Sequence, residues 1–594
     1  VASRAEAAPL APGPEEARRV LESLSLRSYI LEIRERADEA RGRPVAALPT
    51  AAREEFLRTG DRLGFERPYF ERRRALVALG LSSWLWREAR DVEALERVIE
   101  AICGEERWAL PAHAEDVDLF ACETAFALSE IVACLGGALA SGVAQRARAE
   151  AERRVLVPFL ERREAWAWER MRNNWCAVCS GSIGASAIYL VDDRSRLDAI
   201  LARLTPTLSA FLESFAEDGA CLEGLGYWTY GVGFYVSFAE LLYRFSGGKA
   251  DLMSSPKFRR IAAFQSKAFL TGSIAVAFAD SSARERYRPG LAAYLSRRFP
   301  EAAVPAPSLA AHLGDDECGR WCLSLRDLLW ADGPQAGESV SHNAADGARR
   351  GAGAAARPIA WLSDAQWLAW PAAGPGELGF AAKGGHNDEP HNHNDAGSFQ
   401  LALGGTQFLA ELGAGEYTKD YFGDGRYSIF CNSSLGHSLP IVGGRGQEAG
   451  AAHRAHNVAC RIEGRRVVLA MDIAAAYGCA ALLGLRRSFD FDGSALLVLR
   501  DEFELGWTGL ELVERLVTGL PASSIRIEGA RAVLEAEGAR LVVSCSLPGL
   551  VPRLVLVPHR EHDGSRVEVA CLDFDLPRAR ASLSVSFEFR LVSY

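Results

Sequence analysis

From about residue 14 to about residue 330, apolar residues return at spacings of three and four with charged residues between them. The stretches Pro14 to Arg41, Asp91 to Cys103, Val117 to Leu139 and Val143 to Arg163 carry this pattern most clearly. It is the period of helices that bury one face, and strand-like alternation is nearly absent there. Many helix pairs joined by short Gly- or Pro-containing turns predict a bundle or, better, a closed or partly closed ring. Past residue 357 the period becomes two. Ser398 to Leu403, Gly404-Gly405 and Thr406 to Glu411 form a hairpin signal. Leu583, Val585, Phe587, Phe589 and Leu591 alternate with polar neighbours, as do runs at Arg465 to Asp472, Ala495 to Glu504, Arg540 to Leu547 and Arg566 to Leu576. Such runs predict an antiparallel sandwich. Between the two halves, Gly333-Pro334, Gly337 and Gly347 to Gly353 break the periodicity and offer few large apolar groups. The expected architecture is a multidomain α and β chain: an (α/α) toroid over 1–331, a linker over 332–357 and an antiparallel β-sheet domain over 358–594.

Length supports the division, because 594 residues exceed what one hydrophobic core usually serves. A formal charge of −10 argues against nucleic acid as a partner, since that binding leans on cations to neutralise phosphates. Any polyanionic ligand would then require a local basic groove, for which Arg172, Lys383, Arg426 and Arg445 are candidates. No run of about eighteen apolar residues suggests a membrane span. The start Val1-Ala2-Ser3-Arg4 has neither an initiator Met nor an apolar signal-like segment, which leaves the compartment open between cytoplasmic and secreted or periplasmic. The 13 cysteines are odd in number and scattered, which reads as reduced thiols. The pairs Cys176/Cys179 and Cys318/Cys322 lack the further ligands of a zinc site.

Three clusters hold residues suited to chemistry. Arg172-Asn173-Asn174-Trp175 precedes a small-residue run, so its amides either cap a helix or bind a substrate carboxylate. In Glu217 to Gly231, Glu223, Tyr227, Trp228 and Tyr230 lie among glycines, a composition that suits a sugar-binding cleft. A Tyr there can also act as acid or base, although Tyr227, Tyr230 and Phe234 equally follow the spacing of a buried helical stripe. The third cluster is His386 to Phe399. Six of the 11 histidines fall between His386 and His456. On an extended segment His391 and His393 point the same way, and local twist can send one to a metal and the other to substrate. The hairpin then delivers Glu411, and Asn432 to Ser438 adds His437. Two imidazoles and a carboxylate suit zinc or manganese.

Together, Asn-Asn-Trp at 173–175, Glu-Gly-x-x-Tyr-Trp-x-Tyr-Gly at 223–231, His-x-His-x-Asp-Ala-Gly-Ser-Phe at 391–399 and Asn-Ser-x-x-Gly-His at 432–437 resemble the heparinase II/III-like superfamily. That group includes heparinases, oligoalginate lyases and dermatan-sulfate epimerases. The motifs cover about 165 to 445, and the architecture covers the whole chain. The resemblance implies a toroid on β-sheets with an acidic polysaccharide, such as a glycosaminoglycan, held between them and cleaved by β-elimination. By position, Asn174 would neutralise the uronate carboxylate, Tyr230 or Tyr227 would handle the proton at the leaving oxygen, and His391 would assist in or perform the abstraction of the C5 proton. His393, Glu411 and His437 would match the metal site, and Tyr417 a further active-site phenol. Substrate contacts are expected from Arg172, Trp175, Glu223, Trp228, Arg426 and Tyr417. Two features depart from the pattern. Glu411 stands where several members have Asp, and Trp175 stands where alginate-active relatives tend to have His, so a His-based neutraliser is missing. Rival readings are a uronate C5-epimerase, a toroid glycoside hydrolase using Asp218 and Glu223, and a non-catalytic carbohydrate-binding protein.

Overall fold

The computed structural model describes residues 10–331 and 359–593; the expected linker lies outside the described residues. The N-terminal half is helical, and its inner helices pack in chain order. Leu63–Trp86 lies on Leu119–Leu135, that helix on Asn174–Leu190, and that one on Leu225–Phe245. Trp321–Ala331 packs on Leu225–Phe245 and returns to Leu63–Trp86, which closes the ring. Gly80 permits this closure, because a side chain there would collide with the Trp321 ring. At the centre Glu130 accepts hydrogen bonds from Trp321 Nε1 (2.9 Å), Tyr189 Oη (2.8 Å) and the guanidinium of Arg326. A carboxylate so buried is tolerable only because its charge and lone pairs are met.

Local chemistry adjusts several expected boundaries. The run Pro14 to Arg41 breaks into Pro14–Glu22 and Arg27–Gly42, and Val143 to Arg163 passes through a π turn at Glu152–Leu156. Leu119–Ala138 is long and apolar enough to cross a membrane, contrary to the expectation from sequence. It is apolar as an inner helix of the ring, with 78% of the window buried. The largest departure is at 268–288, where the helical pattern yields to an irregular loop containing the bridge between Phe269 and Ala275.

The C-terminal half is antiparallel, as the alternation predicts. Five strands run Ala360–Leu362, Trp367–Trp370, Gly379–Lys383, Phe399–Leu403 and Thr406–Leu409 in spatial as well as chain order. An eight-stranded sheet has the long strands Ser582–Ser593 and Leu496–Leu505 at its middle, and a four-stranded sheet pairs Leu512–Thr518 with Arg566–Asp575. The Gly404-Gly405 hairpin forms where expected, with Gly404 in the left-handed region. Phe399, Phe489 and Phe589 meet between the sheets in one apolar core.

Two devices carry this scaffold to the site. The 268–288 loop docks on the first sheet: the Gln400 amide donates to the Ala275 carbonyl (3.1 Å) and accepts from the Ala277 N–H (3.2 Å), while Thr271 bonds the Gly404 carbonyl. Arg487, fully buried, is held by Asp501 (2.6 Å) and donates to the carbonyls of Gly397 (3.1 Å) and Ser438 (2.8 Å). It thereby fixes the ends of the loops that bear His393 and His437.

Candidate active site

A cleft of about 2050 Å³ lies between the helical ring and the β-sheets. Asn174, Trp175, Tyr227, Tyr230, His391, Tyr417 and Arg426 all line it. The two amides of the first motif have different partners. Asn173 caps the helix Asn174–Leu190, accepting from the Trp175 N–H at 3.1 Å. Asn174 is left free of capping. Its backbone N–H donates to Glu223 Oε1 (3.3 Å), and neither side-chain polar atom has a partner among the described residues. Trp175 presents its ring edge-on to His113 at 4.7 Å, as part of the cleft wall.

His391 is the hub. Its backbone takes φ +56°, a left-handed conformation that is uncommon outside Gly and Asn. The expected extended segment is therefore a turn. Even so, both imidazoles aim at one carboxylate: His391 Nδ1 lies 2.7 Å from Asp280 Oδ2, and His393 Nε2 lies 2.9 Å from Asp280 Oδ1. Tyr421 donates to the same carboxylate, and Arg426 Nη2 reaches both its oxygens at 3.2 Å. Burial alone would raise the Asp280 carboxyl, but the two imidazoles and the Arg426 cation hold it well below the usual carboxylate range. An ionised Asp280 favours a hydrogen on His391 Nδ1 and so turns Nε2 toward the cleft side of the ring. That nitrogen faces Glu223 Oε2 at 3.6 Å.

The phenols separate by partner. Tyr227 stacks on the His391 ring with centroids 4.0 Å apart, and its hydroxyl lies 2.6 Å from that of Tyr417. Burial first, then the Asp280 charge, push the Tyr227 phenol above its ordinary value, so it stays protonated. Tyr230 instead donates to Glu123 and lies under the Arg320 guanidinium at 4.1 Å. Desolvation raises the Glu123 carboxyl to about 7.

Several expected contacts move elsewhere. Trp228 is fully buried in the ring, with its Nε1 donating to the Ile261 carbonyl (2.8 Å), because one step along the helix from Tyr227 turns it away from the cleft. Arg172 is exposed and pairs with Glu213 at 3.4 Å, off the cleft wall. Glu223 is buried at the edge of the cleft, with its unpartnered Oε2 turned toward the cleft-lining His391. The expected basic groove is also redistributed. Lys383 is buried against Asp395 (2.7 Å) and Glu389 (3.0 Å), Arg445 lies off the cleft, and Arg62, Arg74, Arg320 and Lys419 line it instead. Asp218 accepts from the backbone N–H groups of Asp364 (2.8 Å) and Ala365 (3.2 Å), a tie between the halves. It is no partner to Glu223 across a cleft, so the glycoside hydrolase pair is not formed.

The metal-ligand set is also revised. Asp395, Glu411 and His437 form a buried group whose ligand atoms lie within 4.8 Å of one another and that could hold a metal ion. His393, expected there, turns its Nε2 to Asp280; its Nδ1 is unpartnered and its ring is 5.3 Å from that of His437. The donor set fits a cation. His437 Nε2 faces the Cys431 carbonyl (2.9 Å) and so carries a hydrogen, which leaves Nδ1 facing Glu411 Oε2 at 2.7 Å. Those two atoms require a proton or a metal between them, and Asp395 Oδ2 is unpartnered beside them. Asp280 is absent from the residues expected on sequence grounds. The signal available was an apolar run, Ile274 to Ala279, ending in Asp-Ser-Ser inside an otherwise helical region, with Ala279 in the left-handed conformation.

No family model matches the sequence, and no curated protein does either. Solved structures do match in fold. Heparinase III superposes with a TM-score of 0.64 at 12% identity, covering 98% of this chain and 92% of that one. Heparan sulfate lyase HepC from Pedobacter heparinus gives 0.57 at 12% identity, covering 97% and 91%. The Streptomyces coelicolor A3 chondroitin AC lyase, in complex with chondroitin sulphate, gives 0.55 at 12% identity, covering 98% and 82%. The chain thus has the heparinase III-like arrangement of helical ring and β-sheets along almost its full length, and at this identity the likeness is one of fold.

Proposed function

We propose that this chain is a polysaccharide lyase that cleaves uronic-acid-containing polysaccharides, with glycosaminoglycans as the favoured class, by β-elimination. The observation that carries the reading is His391, oriented by ionised Asp280, stacked on a protonated phenol and linked through Glu223 to Asn174, whose side-chain amide is unpartnered. The C5 hydrogen of a uronate is too weakly acidic for an imidazole unless charge developing on the adjacent carboxylate is stabilised, and Asn174 supplies hydrogen bonds for it. His391 Nε2 takes the C5 proton, the electron pair becomes the C4–C5 double bond, and the C4–O4 bond breaks. Tyr227 protonates the departing oxygen; after product release Tyr227 regains a proton from solvent by way of the Tyr417 hydroxyl, and His391 returns the C5 proton to solvent. The solved structures of similar fold, named for action on heparan sulfate and chondroitin, support the substrate class.

Incubation with heparan sulfate, chondroitin sulfate, hyaluronan and alginate, followed by ultraviolet absorbance and chain length, tests this reading. The expected result is an unsaturated chromophore with shorter chains on at least one of them. Solvent deuterium at C5 of intact chains would establish the epimerase instead, and neither signal on any substrate would end the proposal. Tyr227→Phe is expected to lower kcat/KM by about 10²-fold, the lower end for a general acid because Tyr417 remains nearby. Tyr230→Phe is expected to change kcat/KM less than that, since its hydroxyl is engaged with Glu123.

Zinc or manganese would be held by Asp395, Glu411 and His437, with His393 Nδ1 as the nearest further nitrogen. When bound, the ion supplies charge that ties the hairpin end to the His437 loop, a structural role behind His391. Zinc at a hundred times its Kd should raise unfolding free energy by about 2.7 kcal/mol over the chelated protein. Thermal melts with zinc and with EDTA check this, and Glu411→Ala should abolish the difference; identical wild-type melts would remove the metal.

A further inference from the structure

We propose that Glu223 works as a carboxylic acid, completing with the Asn174 side chain a neutral hydrogen-bonding seat for the C6 carboxylate of the uronate. The inference rests on the lyase reading above and supplies the neutralising partner that the sequence lacks where Trp175 replaces a histidine. Three buried polar atoms, Asn174 Nδ2, Asn174 Oδ1 and Glu223 Oε2, have no partner among the described residues. They belong to adjoining residues, since Glu223 Oε1 accepts from the Asn174 N–H at 3.3 Å. Native proteins rarely leave so many buried polar atoms unmet, and a ligand is a common reason when they do.

The position matches the chemistry. The C5 hydrogen and the C6 carboxylate hang on one carbon, so the base and the group that stabilises the enolate must be neighbours. Glu223 Oε2 lies 3.6 Å from His391 Nε2. An ionised Glu223 would repel a uronate at this place, whereas a protonated one donates a hydrogen bond that strengthens as charge moves onto the carboxylate oxygens. Burial drives the Glu223 carboxyl up to about 7, against the lowering effects of His391 and of the Asn174 N–H and with a raising contribution from Asp280. The other titratable groups that feel its charge are Tyr227, Cys221 and Cys176, all of which stay protonated at neutral pH. A bound carboxylate would favour the acid form further. In the elimination the Glu223 proton stays on its oxygen or is shared with the substrate oxygen. The C5 proton still goes to His391 and the leaving oxygen still receives one from Tyr227, so no further reactant is needed.

The test compares Glu223→Gln, which keeps a donor without a titrating group, with Glu223→Ala, on whichever polysaccharide the wild type cleaves and on its uronate methyl ester. The ester has no anionic carboxylate to neutralise. Glu223→Ala should lose about 10²–10³-fold in kcat/KM on the carboxylate substrate, the range for removing one such donor, and less than 10-fold on the ester. Glu223→Gln should retain most activity, and the wild-type fall in kcat/KM above pH about 7 should be missing from its profile. Equal losses on acid and ester, or a Gln variant as poor as Ala, would overturn the proposal, because a purely positioning role for Glu223 predicts those results. Wild-type inactivity on every uronate polymer would instead overturn the lyase reading itself.

Discussion

Replacing His391 with Asn is expected to abolish most turnover, lowering kcat/KM by about 10²–10⁴-fold, the contribution of a positioned proton acceptor. Asn suits the test because it tolerates the left-handed conformation at φ +56°, where Ala would add backbone strain to the loss of chemistry. The substrate should still bind, since Asn174, Trp175 and the cleft cations are untouched. Initial rates of double-bond formation, with binding measured separately by calorimetry, give the answer. Near-normal turnover would require the base to be another group. Loss of binding together with turnover would mean that His391 builds the cleft instead of acting in it.

Asp280 should show the largest combined effect. Asp280→Ala removes a buried carboxylate from His391, His393, Tyr421 and Arg426 together and leaves a partly buried guanidinium without its partner. Breaking such a pair typically costs about 3–5 kcal/mol of stability, readable in urea unfolding. Asp280→Asn keeps the shape but no longer favours the proton on His391 Nδ1, and activity should fall by up to about 10⁴-fold with a smaller stability loss. The pH dependence has a definite sign. The Asp280 carboxyl is held below its unfolded value, so its stabilisation is complete above that value, about 3.9, and is lost as pH falls through the lower folded value. The wild type should therefore shed this component only below about pH 4, and Asp280→Asn should lack it. Equal acid sensitivity of the two proteins would show that Asp280 is not the group responsible.

The site was legible in the sequence to the extent that its residues share local motifs. Asn174, Tyr227, His391 and Tyr417 come together around the cleft; His391 and Tyr417 stand on irregular segments, Asn174 at the start of a helix and Tyr227 in the first turn of another. Trp228 shows the limit of reading a motif as a unit. One residue after Tyr227 on a helix points about a quarter-turn away, which here is into the ring core. Lys383 and Arg172 show the same limit for charge, since neither burial against Asp395 nor pairing with Glu213 has any local signature.

The sequence by itself determined the two halves, the helical and the strand periods, the 404–405 hairpin and the residue types available for proton transfer, because each depends on neighbours within a few positions. Only the tertiary structure decided which carboxylate orients His391, which phenol lies against it, and that Asp395 joins Glu411 and His437. Asp280 is 111 residues from His391 along the chain and Glu223 is 49 from Asn174. Those meetings follow from ring closure and from a loop of the helical half docking on a sheet, and packing over such separations leaves no periodic trace in the chain.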